Sequence, residues 1–186
     1  MKKTIYFITS NKGKALEAKV KFSPFNIDIV QKNLGYPEIQ ADSLEDVALF
    51  GLRDVRKRFN GSFFLEDAGL FINSLDGFPG VYSAYVYHTI GYGGILKLLA
   101  NFDENKRKAY FKSVIAYSEP NKKPLVFIGE CSGKISIKSL GNNGFGFDPI
   151  FIPDGEEKTF AQMDTEEKNR FSHRGKSLEK LINFLG

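Results

Sequence analysis

The chain has 186 residues, 42% of them hydrophobic and 26% charged, which fits one globular domain spanning residues 1–186. One cysteine excludes an intramolecular disulfide framework, and with only two histidines a cysteine-rich zinc site is excluded too. The net charge of +4 favours anionic partners without requiring nucleic acid. No apolar run approaches the roughly 20 residues that cross a bilayer, and the first residues lack a signal-peptide cleavage pattern. We therefore expect a cytoplasmic protein without a membrane partner.

The first part of the chain shows alternating strand and helix patterns. Short apolar or alternating runs predict strands at residues 4–9, 25–31, 62–65 and 70–72. Helical periodicity predicts helices at residues 12–22 and 43–59. In the second of these, Ser43 followed by Asp46 approximates a capping box. Strand, short polar turn and helix in succession open an α/β unit.

The later part of the chain is richer in strands. Residues 95–100 predict a short helix, and residues 109–117 and 124–137 predict a hairpin around the turn at 119–123. The final helix carries apolar residues at Leu178, Leu181, Ile182 and Leu185. The predicted fold is α/β, a long mixed β-sheet flanked by helices.

A polar segment that follows the first strand and opens the first helix is the first candidate site. It consists of Thr9, Ser10, Asn11, Lys12, Gly13 and Lys14. A helix N-terminus presents unpaired N–H groups and the positive end of a dipole, so it binds anions readily. The spacing is not that of a Walker loop. The alternative is a polar turn in which Asn11 is only the N-cap.

Three acids are candidates for metal or proton chemistry. Glu66 and Asp67 follow an apolar run, which places them at a predicted strand end where a carboxylate could hold Mg²⁺ or accept a proton from water. The alternative is a solvent-facing turn at Glu66–Gly69. Glu38 follows Pro37, which restricts it to an extended path. Its alternative is an ordinary surface position.

Two later segments carry aromatic and basic residues. Residues 144–149 form a tight aromatic turn in which Phe145 and Phe147 could stack on a flat base, although core packing of both rings is the alternative. Lys168 and the Ser172-His173-Arg174 run could contact phosphate or a base carbonyl. Alternatively, Ser172 caps the last helix and His173 lies on the surface.

The order of these motifs resembles the inosine triphosphatase family of house-cleaning pyrophosphatases. The matching elements are Thr9, Asn11, Lys14 and Glu17, then 66–70, 75–83, 145–151, 159–163, 167–169 and 172–174. The segment 36–40 is most similar to archaeal members.

The resemblance implies two lobes with an active-site cleft between them and a homodimer. It implies hydrolysis of ITP, dITP and XTP to the monophosphate and pyrophosphate, which cleanses the nucleotide pool. Mg²⁺, which Mn²⁺ could replace, would be held by Glu38 and Asp67, and the catalytic residues would be Asp67 and Lys14. The implied substrate-binding residues are Thr9, Ser10, Asn11, Lys12, Gly13, Lys14, Ala68, Phe145, Gly146, Phe147, Asp148, Lys168, His173 and Arg174.

Three positions depart from the family pattern. Ala68 replaces a Ser or Thr, Phe147 replaces a Tyr, and Tyr85 stands where many bacterial members have Arg. The sequence alone leaves two other functions open. One is a basic nucleotide- or RNA-binding module without catalysis, although acids beside the phosphate site argue against a stable nucleic-acid partner. The other is a pyrophosphatase for modified pyrimidine nucleotides.

Overall fold

The computed structural model describes residues 3–37 and 39–186, which form a mixed six-stranded sheet with helices on its faces. The strand order is β2-β1-β3-β4-β5-β6. The strands are β1 Lys3–Ile8, β2 Ile27–Lys32, β3 Phe63–Ile72, β4 Lys108–Ser118, β5 Leu125–Ile135 and β6 Phe151–Pro153. The helices are α1 Lys12–Phe22, α2 Leu44–Arg56, α3 Ser83–Thr89, α4 Gly91–Leu98, α5 Thr165–Phe171 and α6 His173–Leu185.

Strand β1 is much shorter than its neighbour β3, and this difference creates an open edge. β1 runs parallel to both β2 and β3, but it pairs with β3 only at Tyr6–Phe63 and Phe7–Phe64. β3 continues to Ile72, paired antiparallel with β4 along its whole length. The loop after β1 therefore lies beside the middle of β3, at the carboxyl end of the parallel strands, where α/β sheets commonly bind ligands.

Apolar residues fill both faces of the sheet. On one face, Phe7, Phe64 and Ile115 pack with residues of α1 and α6. On the other face, Phe63, Leu65 and Val114 pack beneath α2. A further cluster surrounds the distal halves of β3 to β5 and includes Leu70, Phe111 and Phe160. The division into two lobes stays a prediction.

The mixed sheet with flanking helices confirms the predicted fold class, and several local predictions are also confirmed. Helix 12–22 has the predicted bounds, and β4 and β5 form the predicted antiparallel hairpin. Ser43 caps α2, accepting a hydrogen bond from the Asp46 N–H at 3.1 Å. In the part of the chain that is described, none of the helices combines the length and apolar character that crossing a membrane requires.

The predicted turn at Glu66–Gly69 is wrong. These residues lie inside the continuous strand β3, so Glu66 and Asp67 occupy mid-strand positions rather than a strand end. Polar and small residues resemble a turn in sequence, but pairing with β4 overrides that local preference. Four helices also differ from the sequence analysis. Helix α2 ends at Arg56, α4 begins at Gly91, and α3, like α5, was not predicted at all.

Candidate active site

The loop between β1 and α1 is held in place by local hydrogen bonds. The Asn11 side chain accepts from the Lys14 N–H at 3.0 Å, and the Asn11 N–H donates to Thr9 Oγ1 at 3.1 Å. Asn11 is therefore the N-cap, as the alternative interpretation predicted. Ser10 and Lys12 are exposed, whereas Thr9, Asn11, Gly13 and Lys14 are half-buried. The capped helix still directs its first turn toward the open edge beside β3.

Glu66 is the centre of a buried ionic cluster on the α1 and α6 face of the sheet. Its carboxylate is 2.8 Å from Lys14 Nζ and 3.0 Å from the Arg174 guanidinium. The Ser113 hydroxyl donates to Glu66 at 2.7 Å. Ser113 lies directly opposite Ala68 in the register of β3 and β4. Strand β4 therefore supplies a hydroxyl beside Glu66, although Ala68 has none.

Glu17 and Asp148 extend the ionic cluster. The two oxygens of Glu17 accept from Lys168 at 2.8 Å and from Arg174 at 2.6 Å. Lys168 also donates to Asp148 at 2.6 Å, and the same Asp148 oxygen accepts from the Phe145 N–H at 2.8 Å. Helix α1, the aromatic turn and the last two helices are thereby joined by charge-assisted hydrogen bonds, which are stronger than neutral ones.

Pairing offsets burial for most of these charges, although at Asp148 burial outweighs Lys168 and raises the pKa. Burial alone would raise the pKa of the Glu66 and Glu17 carboxyls, but Arg174 and the neighbouring lysines outweigh it and hold both pKa values below the usual range. Burial would lower the pKa of Lys168, but Asp148 and Glu17 raise it. The cluster therefore holds fixed cations at neutral pH, each matched by a carboxylate.

The two phenylalanines of the aromatic turn have different surroundings. The ring of Phe145 is half-buried and faces two cations, with Lys168 Nζ 5.0 Å and Arg174 Cζ 5.4 Å from its centroid. Phe147 is 3% exposed and packs edge-on against Tyr87 in the core. The prediction that Phe147 flanks a base is therefore wrong, because its ring has no open face. Phe145 and the half-buried Gly146 remain candidates for base contact.

His173 is buried rather than exposed, which corrects the surface alternative. Its ring stacks on Phe111 with centroids 4.5 Å apart. Burial and the charge of Arg174 hold the pKa of His173 well below its usual value. Among the described residues, its Nδ1 has no hydrogen-bond partner. Ser172 caps α6 by accepting from the Gly175 N–H at 3.0 Å, as the alternative interpretation predicted.

Asp67 lies on the opposite face of the sheet from Glu66, because side chains alternate along a strand. Its neighbours on that face are Phe63 and Leu65, beneath α2. Glu38, the second predicted metal ligand, lies outside the described residues. Within residues 3–37 and 39–186, no cluster of three or more potential ligands of the His, Cys, Asp and Glu types occurs. The proposed pairing of Glu38 with Asp67 stays a prediction.

Sequence reasoning did not assign Glu17 or Ser113 to the site, and it considered Glu66 only as a candidate for metal or proton chemistry. Glu17 could have been found, since it lies beside Ala18 on the buried side of α1, where an acid is expected only if paired. The same argument applies to Glu66 within an apolar strand. Ser113 gives no such signal, because small hydroxyl residues occur in many buried strands.

Comparison with known proteins identifies the family. The sequence pattern described as the Ham1 family matches residues 5–184. A dITP/XTP pyrophosphatase of Thermococcus kodakarensis is 55% identical over 179 residues, which cover 96% of this chain and 95% of that protein. One from Pyrococcus horikoshii is 52% identical, over 97% and 96% of the two chains. The Staphylococcus aureus Ham1 protein superimposes with a TM-score of 0.82 at 31% identity, covering 98% of each chain. This chain belongs to the Ham1 family.

Proposed function

We propose that this protein hydrolyses the non-standard purine nucleoside triphosphates ITP, dITP and XTP to the monophosphate and pyrophosphate, and so cleanses the nucleotide pool. The observation that carries the proposal is the convergence of Lys14, Lys168 and Arg174, from opposite ends of the sequence, around the open edge beside β3. Relatives named dITP/XTP pyrophosphatases align with nearly the whole chain.

The phosphate chain would bind at the N-terminus of α1. Residues 9–13 offer backbone N–H groups and hydroxyls there, and the helix dipole favours an anion. Lys14 adds a positive charge that Glu66 holds in place at 2.8 Å. Lys12 is exposed and adds a second charge at the entrance of the loop.

Base selection would depend on donors held beside Phe145. Hypoxanthine and xanthine carry a 6-keto acceptor, whereas adenine presents an amino donor there. Lys168 and Arg174 are fixed by Glu17, so they cannot easily turn away from an unsuitable base edge. Leaving such a buried donor unpaired can reject a substrate by roughly 10⁴-fold. Guanine shares the 6-keto group, so its rejection would depend on its 2-amino group.

Water would attack the α-phosphorus, and the bond from that phosphorus to the oxygen bridging to the β-phosphate would break. Asp67 is the proposed general base, accepting the proton of the attacking water. Mg²⁺, with Asp67 and Glu38 as its proposed protein ligands, would offset the charge that develops on the phosphates. The donor set fits a hard cation, because Mg²⁺ is usually bound by one or two carboxylates together with water and substrate oxygens.

The test is a nucleotide panel. Purified protein is incubated with ITP, dITP, XTP, ATP and GTP in the presence of Mg²⁺, and released pyrophosphate is measured. We expect turnover of the first three and turnover of ATP lower by orders of magnitude. No pyrophosphate from ITP, or equal turnover of ATP, would refute the proposal. RNA affinity that falls steeply with salt, without hydrolysis, would favour a binding module instead.

We also infer a cytoplasmic homodimer without a stable nucleic-acid partner. Support for the dimer comes from apolar side chains around the start of α3 that are exposed in the single chain: Phe78 at 40%, Tyr82 at 45% and Tyr85 at 70%. Light scattering after size exclusion should give twice the 20.9 kDa chain mass. A single-chain mass at micromolar concentration would contradict the dimer.

A further inference from the structure

Lys112 lies on the same face of the sheet as Asp67. In the register of β3 and β4, Asp67 is opposite Val114 and Lys112 is opposite Gly69. Side chains two positions apart on a strand share a face, and such diagonal neighbours lie about 7–8 Å apart at the backbone, within reach of a long side chain. Lys112 is thus a cation one cross-strand step from the proposed general base.

Glu45 holds Lys112 on this face. Lys112 Nζ lies 2.7 Å from Glu45 Oε1, in the first turn of α2, and only 22% of the Lys112 side chain is exposed. Glu45 Oε2 is buried, with no hydrogen-bond partner among the described residues. A lysine ammonium has three donors, and this structure records a single acceptor for Lys112 in the described part of the chain. Glu45 therefore holds Lys112 in place, and the Lys112 ammonium still has N–H groups that could donate to a ligand.

The cations on the other face are already matched. Lys14, Lys168 and Arg174 contact Glu17, Glu66 and Asp148, giving equal numbers of positive and negative groups in that cluster. A triphosphate brings several further negative charges. Besides the proposed Mg²⁺, a cation outside this cluster on the Asp67 side would stabilise the charge that develops at the α-phosphorus in the transition state.

We propose that Lys112, held by Glu45, contacts a phosphate oxygen of the substrate on the Asp67 face of the sheet. This inference rests on the proposed function. Lys112 is then a substrate-contacting residue, and Glu45 is its positioning residue.

The test compares Lys112→Met, Lys112→Arg and Glu45→Gln with the wild type in ITP hydrolysis. Lys108→Met is the matched control, because Lys108 is an exposed lysine four residues earlier on the same strand and face. We expect kcat/KM to fall about 10²–10³-fold in Lys112→Met, as for loss of one transition-state donor. Lys112→Arg should restore part of the activity, Glu45→Gln should show a smaller loss, and Lys108→Met should match the wild type.

A second measurement separates a contact from a structural role. Each variant's unfolding temperature is measured with and without a non-hydrolysable ITP analogue and Mg²⁺, so every variant is its own reference. The stabilising shift should shrink in Lys112→Met and persist in Lys108→Met. If the wild type hydrolyses ITP and Lys112→Met retains activity within twofold or the full ligand-induced shift, the inference is wrong. A wild type that fails to hydrolyse ITP would instead refute the proposed function.

Discussion

The ring of Phe145 lies directly against Gly13 at the start of α1. A Cβ built on Gly13 would stand 2.5 Å from Phe145 Cδ1, far inside van der Waals contact. The Lys168 ammonium also contacts this ring, with Nζ 5.0 Å from the Phe145 ring centroid. The missing side chain of Gly13 thus allows the aromatic turn to approach the phosphate loop, and it couples the two proposed halves of the substrate site.

Gly13→Ala should therefore impair catalysis more than folding. Alanine favours a helix by up to about 1 kcal/mol over glycine, so the free energy of unfolding should change little. The displaced Phe145 ring should lower kcat/KM for ITP about 10- to 100-fold, since small misplacements of binding groups reduce rates strongly. Gly93→Ala is the control, because a Cβ there meets nothing within 4 Å. Unchanged kcat/KM in Gly13→Ala would contradict the coupling.

Asp67→Asn should abolish most turnover while leaving stability nearly unchanged. Asp67 is half-buried, and asparagine keeps its shape but cannot accept a proton from water. The kcat for ITP should fall about 10²–10⁴-fold, the usual contribution of a general base. The unfolding temperature should shift by less than about 3 °C. Asp28→Asn, at an exposed position on β2, serves as control. A near-normal kcat in Asp67→Asn would show that Asp67 is not the general base.

Glu66→Gln should reduce both stability and activity, in contrast with the adjacent Asp67. The change leaves Arg174 and Lys14 without the buried carboxylate that each contacts. Removing one partner of a buried ion pair costs about 3–5 kcal/mol, measurable by urea unfolding. Glu179→Gln, which removes the exposed partner of Lys21, should leave the urea midpoint unchanged. Equal urea midpoints for Glu66→Gln and the wild type would show that the cluster contributes no net stability.

Elements with strong local patterns were predictable from sequence. Helix α1 has its N-cap at Asn11, and the β4–β5 hairpin consists of two β-rich segments on either side of a turn. Strand β3 was not predictable in the same way. Its central residues resemble a turn, and the partners that neutralise Glu66 lie 52 and 108 positions away along the chain. Such distant compensation leaves no periodic signal in the local sequence.

In the candidate site, too, some features were predictable from the sequence and others were not. Family resemblance gave Lys14, Lys168 and Arg174, whose charges are visible in the sequence. It did not give the face on which each side chain lies, because this depends on the register of β3. It also assigned Phe147 to base stacking, whereas packing against Tyr87 places that ring in the core. Residue type alone does not separate a stacking ring from a core ring.

The buried His173 should make the protein less stable as the pH falls below about 6.5. An unfolded histidine titrates near pH 6.5, whereas burial and Arg174 hold the folded-state pKa of His173 well below that value. Between these pKa values the unfolded chain binds one more proton, so the free energy of unfolding falls by up to about 1.4 kcal/mol per pH unit. The depressed pKa values of Glu17 and Glu66 reduce the free energy of unfolding only at lower pH, below about pH 4.5.

Urea unfolding at pH 7.5, 6.5 and 5.5 isolates the His173 effect from those carboxyls. His173→Gln should flatten the fall in stability between pH 6.5 and 5.5, whatever its overall stability, because the comparison uses slopes. His88→Gln, which changes the exposed histidine of α3, should retain the wild-type slope. Equal slopes in the wild type and His173→Gln would mean that His173 binds its proton equally well in both states, and that burial does not hold the ring neutral.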